Sequence, residues 1–166
     1  MVSEKSAFVL DRLQRWFSGV GKVVVAGIGN PLRMDDFVGM KVVQGLRGKV
    51  DTKRVFLIEC ETVPESYLQE IVDFGPTHVL LIDAAVMGQK AGTVRLVKPE
   101  QLVNFPAYST HMLPLRMFYE YLVRTVSAKV MLLLIEPEST EFGEGLSDAV
   151  LKAAEEVERI LVQCLD

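Results

Sequence analysis

Five short runs of apolar residues, rich in Val, Ile and Leu, recur along the chain at 22–28, 54–58, 78–83, 93–97 and 129–135. Between most of them the apolar positions change period. Val38, Val42, Val43 and Leu46 fall on one face of a helix over 38–47, and Leu68, Ile71 and Val72 do the same over 65–74, where Pro64 suits a first turn. Leu115, Phe118, Tyr119, Leu122 and Val126 predict a third helix over 115–126, and Leu146, Val150, Ala153, Val157 and Leu161 a fourth over 146–165. Strands that are apolar on both faces and alternate with helices predict a mostly parallel sheet covered on each side, an α/β fold in three layers, α/β/α. The run at 93–97 departs from this rhythm, because it follows its predecessor through a glycine-bounded turn at 88–92. It is expected to be an edge strand or an antiparallel return. Residues 4–17 predict an additional N-terminal helix packing through Phe8, Leu10, Leu13 and Phe17. No repeat or linker interrupts the pattern, so one domain is expected over 1–166, with that helix in 1–21 and the core in 22–162.

Composition narrows the class. With 166 residues, a hydrophobic content of 49% and a charged content of 24%, such a chain buries roughly 70% of its unfolded surface and needs no staples. Cys60 and Cys164 stand far apart without metal or redox spacing, which fits a reducing, cytoplasmic setting. The charged N-terminus and the lack of a long apolar run argue against a signal peptide or a membrane anchor. A formal charge of −4 without any Lys/Arg cluster argues against nucleic acid as a partner.

In an open α/β sheet, ligands sit beyond the carboxyl ends of the strands, where helix N-termini point their N–H groups outward. Four of the five predicted strand exits carry carboxylates: Asp35 and Asp36 after the first, Glu59 and Glu61 around Cys60 after the second, Asp83 at the third, and Glu136 and Glu138 at the fifth. His111 precedes a helix whose first turn Pro114 marks. There the helix dipole disfavours imidazolium and leaves the ring free to bind metal or accept a proton. Asp36, Asp83 and His111 together would suit a first-row transition metal with open positions. Structural roles compete with this reading. Asp35 or Asp36 could cap the helix at 38–47, Asp83 could cap a turn, and His111 could be a satisfied loop histidine. His78 is expected at a strand end near the surface, Glu136 at a solvated strand end, and Cys60 as a small buried hydrophobe. Gly27 and Gly29 suggest a dinucleotide turn, but Leu32 stands where a third glycine is needed.

The run Gly27-Ile-Gly-Asn-Pro-Leu-Arg-Met-Asp-Asp-Phe-Val-Gly39 resembles the GxGNxLxxDDGxG opening of the hydrogenase maturation endopeptidases, which trim the large subunit of nickel–iron hydrogenases. The likeness continues through Ile82-Asp83-Ala84, Gly92-Thr93-Val94, Ser109-Thr110-His111-x-x-Pro114, Ile135-Glu136-Pro137 and Gly145-Leu146-Ser147. It implies a phosphorylase/hydrolase-like sandwich, with Asp36, Asp83 and His111 as the metal site and the catalytic constellation. Its implied substrate is the large-subunit precursor, whose C-terminal extension is removed after nickel insertion, with nickel supplied by that substrate. A resident zinc, or no metal, is the alternative. Phe37 replaces the family's usual glycine, Glu59-Cys60-Glu61 an Asp-Gly-Gly turn, and Glu136 a frequent Gln. The N-terminal helix lies outside the family pattern. The Gly-Ile-Gly-Asn-Pro run also resembles peptidyl-tRNA hydrolases, whose Thr-Arg-His-Asn stretch is missing here, and a non-catalytic nickel-binding assembly chaperone could use the same triad.

Overall fold

The computed structural model describes residues 4–102 and 112–166, with backbone alone at 112–114. Its strands are β1 (Val23–Ile28), β2 (Val55–Glu61), β3 (His78–Ala84), β4 (Val94–Val97) and β5 (Lys129–Ile135). The helices are α1 (Glu4–Trp16), α2 (Val38–Leu46), α3 (Leu68–Phe74), α4 (Met112–Val126) and α5 (Asp148–Leu165). One sheet runs in the order β2-β1-β3-β5-β4. Its first three neighbouring pairs are parallel, and β4 returns antiparallel on β5 at the edge, as the turn before it predicts.

Side-chain alternation along the strands separates two cores. Val23, Val25, Leu80, Ile82, Met131 and Leu133 face α1, α2 and α5. Val24, Ala26, Val79, Leu81, Leu132 and Leu134 face α3 and α4. The predicted α/β/α layering is therefore present. In the helices, Val38, Val42, Val43 and Leu46 are all buried, as are Leu115, Phe118 and Leu122. Helix α1 differs from its expected face: Val9, Leu13 and Phe17 are buried, whereas Phe8 is 63% exposed. Phe8 instead lies under the Arg12 guanidinium, 5.8 Å from its ring centre.

His78 opens β3 but is not at the surface; it is 3% exposed. Its Nε2 lies 2.9 Å from the Trp16 carbonyl oxygen and its Nδ1 2.8 Å from the Thr77 hydroxyl. The arrival of α1 over that strand end is what buries it. Glu136 is likewise not solvated. It is 5% exposed, its carboxylate accepts the Met87 N–H at 2.6 Å, and its backbone bonds to Gly92 and Thr93. A strand-end acid thus pins the 85–93 turn onto β5.

Candidate active site

The chain leaves β1, passes to β2 on one side, and later enters β3 on the other, so the order reverses between β1 and β3. A crevice opens at such a reversal beyond the carboxyl ends. Gly27 pairs with Ile82 across the two strands, so Ile28 and Asp83 stand at the next level, at the mouth of that crevice.

Glycines bring α2 into it. A Cβ on Gly39 would lie 2.2 Å from the Ile82 carbonyl oxygen and 2.6 Å from that of Ile28. One on Gly27 would lie 2.3 Å from the Gly39 oxygen, and one on Gly29 1.9 Å from the Asp36 oxygen. The glycines that suggested a nucleotide turn therefore serve close backbone approach. They let the segment carrying Asp36 lie directly on the ends of β1 and β3.

Asp36 is 5% exposed and its Oδ2 accepts the Asn30 N–H at 2.9 Å. Asp83 is 1% exposed and its Oδ1 accepts the Ala84 N–H at 2.9 Å. Alternation places Asp83 with Val79 and Leu81 on the α3/α4 side. Two buried carboxylates, each accepting a backbone N–H, thus lie at the carboxyl ends of the neighbouring strands β1 and β3. His111 lies outside the described residues, as do Ser109 and Thr110.

Neither acid caps α2. Asp35 and Asp36 lie in a 3₁₀ turn, Met34–Phe37, and the residue before α2 is Phe37, which makes no side-chain cap. Asp35 is fully buried and does something the sequence did not reveal. Its carboxylate accepts N–H bonds from Glu138 (2.9 Å), Ser139 (3.1 Å) and Ser147 (2.8 Å), and the Ser147 hydroxyl at 2.9 Å. The loop after β5 is therefore tied to the loop after β1. Arg33 Nε adds a bond to the Thr140 carbonyl at 3.0 Å. Only the paired acids hinted at this in the sequence, because the donors come from a segment more than a hundred residues away.

Beside the site, Cys60 is fully buried, and burial, with Glu65 nearby, pushes its thiol up to about 12. It stays a thiol at neutral pH and is no nucleophile. The pairing of β1 with β2 slips at this point, Gly27 matching Glu59 and Ile28 matching Glu61. Glu59 is spent on α2, accepting from Gln44 at 2.7 Å and pairing with Arg47.

Comparison with known proteins separates the remaining readings. The family model described as HycI, hydrogenase maturation protease, matches residues 40–164. A Methanocaldococcus jannaschii protein assigned as a hydrogenase maturation protease is 32% identical over 165 residues, covering 95% of this chain and 94% of its own. The chain belongs to the hydrogenase maturation protease family. The hydrogenase 3 maturation protease of Escherichia coli K12 is 25% identical, covering 81% of this chain and 85% of that protein. The crystal structure of the [NiFe] hydrogenase maturation protease HycI from Thermococcus kodakarensis superposes with a TM-score of 0.85 at 32% identity, over 93% of this chain and 98% of that one. As a member of this protease family the chain is a peptide hydrolase, and the esterase and chaperone readings are not favoured. In the M. jannaschii match, the uncovered 5% is shorter than the 13-residue α1, so part of that helix lies within the shared span.

Proposed function

We propose that this maturation protease removes the C-terminal extension of a nickel–iron hydrogenase large-subunit precursor once nickel has been inserted. The observation that carries the reading is the pair of buried carboxylates, Asp36 and Asp83, held by backbone N–H groups where β1 and β3 part. Carboxylate oxygens with His111 make a donor set of moderate affinity for a divalent first-row metal, which favours an ion that arrives already partly ligated by the substrate. Nickel in the precursor then acts as the anchor that brings the scissile bond to the crevice. Family membership supports the peptide substrate.

Cys60 is held as a thiol by burial and is not assigned as a nucleophile. Asp36 and Asp83 supply carboxylate oxygens that orient the metal-bearing segment and accept a proton from attacking water. Among the described residues no helix is long and apolar enough to cross a membrane, and Cys60 and Cys164 carry free thiols. The free thiols support action in a reducing compartment.

The test compares metal-stripped enzyme on nickel-loaded and nickel-free precursor, with loss of the extension followed by mass. Cleavage of the loaded form alone is expected. Efficient cleavage of the nickel-free form would overturn substrate-borne recognition, and a requirement for zinc prebound to the enzyme would make it an ordinary metallopeptidase.

A further inference from the structure

Among the described residues, four of the eight large exposed apolar side chains lie on helices α1 and α4, at Phe8, Met117, Tyr121 and Val123, and the other four lie at the carboxyl edge of the sheet. Each parallel strand is followed, in the loop at its carboxyl end, by one of them: Leu32 after β1, Val63 after β2, Val86 after β3 and Phe142 after β5. Their exposures are 47%, 41%, 48% and 84%. Phe142 is the extreme case, and its backbone is held firmly. Gly143 next to it donates its N–H to the Leu32 carbonyl at 2.8 Å and accepts the Met34 N–H at 3.0 Å. The Asp35 carboxylate clamps the same loop on both sides of Phe142, at Glu138, Ser139 and Ser147. The backbone bonds between Gly143, Leu32 and Met34 hold the loops of Phe142 and Leu32 together, so two exposed apolar residues sit on one joined pair of loops. Such a pair suits an interface, where aromatic anchors dominate and a preorganised backbone lowers the cost of binding.

We propose that Phe142 and Leu32, on their two stitched loops, form the apolar seat for the precursor polypeptide beside Asp36. This rests on the processing reading above and names the residues that hold its substrate. The occupant follows from position. A scissile segment that reaches Asp36 and Asp83 must enter from the carboxyl edge, and Leu32 lies only four residues before Asp36, on the loop that Asp35 and Gly143 join to that of Phe142. The seat therefore discriminates substrates by binding, ahead of the chemistry.

Phe142→Ser and Leu32→Ser enzymes are compared with wild type on purified nickel-loaded precursor. Release of the extension gives KM and kcat, and immobilised precursor gives direct binding. Phe142→Ser is expected to weaken binding and raise KM by about 10-fold, with kcat held within about 2-fold. Phe142→Leu should recover most of the loss. Phe8→Ser on α1, a comparably exposed position far along the chain, should change neither. Unaltered binding by Phe142→Ser and Leu32→Ser, or an equal loss in Phe8→Ser, overturns the seat. A wild-type enzyme that binds precursor through Phe142 without ever cleaving it would overturn the processing reading and leave the seat standing. One that cleaves normally with Phe142 replaced would do the reverse.

Discussion

Two adjacent aspartates in one turn make different hydrogen bonds, and substitution is expected to act on them differently. Asp35 is saturated by donors, its two oxygens accepting three N–H bonds and one hydroxyl. Asparagine would keep one acceptor oxygen and turn an NH₂ group toward a backbone N–H, leaving buried donors unpaired at a cost of about 1–3 kcal/mol. In the role proposed above, Asp36 is a ligand for the substrate's metal and a proton acceptor, and loss of its charge would remove both. Asp36→Asn is accordingly expected to abolish release of the precursor's extension at nearly unchanged melting temperature. Asp35→Asn should melt earlier and lose activity less. Paired denaturation curves and processing assays check this, and an equal loss of activity at equal stability would remove the division of labour. The acids themselves were visible in the sequence. Which was structural was not, because Asp35 is defined by partners 103 to 112 residues away. The burial of Glu136 is hidden from the sequence for the same reason: its partner, Met87, belongs to a turn that only the folded sheet brings near.

At the scale of elements, hydrophobic period placed all five strands and the five helices to within a few residues, since each element buries a face that its own sequence encodes. What period cannot encode is how closely two elements approach. Gly39 shows the difference. As a residue inside α2 it costs roughly 1 kcal/mol of helix propensity relative to alanine, so an isolated helix would gain from the exchange. Here the new Cβ would stand 2.2 Å from the Ile82 oxygen and 2.6 Å from the Ile28 oxygen, both backbone atoms of the sheet interior that cannot swing aside. Overpacking of this kind costs about 1–3 kcal/mol or more and outweighs propensity. Gly39→Ala is therefore expected to destabilise, measured by chemical denaturation. The turn that carries Asp36 would also be pushed off β1, so processing should fall in parallel. A neutral or stabilising exchange would mean that α2 does not rest on the strands through Gly39.

At the scale of the whole molecule, α1 packs on the core through Val9 and Leu13, and its C-terminal end meets one imidazole. His78 sits under the end of α1, its ring centre 4.9 Å from that of Trp16 in an edge-to-face arrangement and 6.0 Å from that of Phe17. A carbonyl can only accept, so Nε2 carries the hydrogen that reaches the Trp16 oxygen, and in the neutral ring Nδ1 accepts from the Thr77 hydroxyl. Burial pulls the His78 pKa below its ordinary 6.5, against the opposing pull of the Trp16 hydrogen bond, and Lys129 adds a smaller push in the same direction as burial. The sign of the linkage follows. With the folded pKa below the unfolded one, the unfolded chain binds the extra proton first as pH falls beneath 6.5, so the contribution is complete above that value and lost on acidification. All other titrating groups are common to wild type and variant, which makes a difference measurement informative. Between about pH 7 and 5, wild-type melting temperature should fall more steeply than that of His78→Gln, whose amide can still donate to the Trp16 carbonyl but cannot titrate. Because Trp16 is the single tryptophan of the chain, its emission reports the same event locally, shifting to the red as α1 lifts from the strand end. Parallel pH slopes in the two proteins, with an unmoved Trp16 spectrum, would show that His78 does not govern the seating of α1.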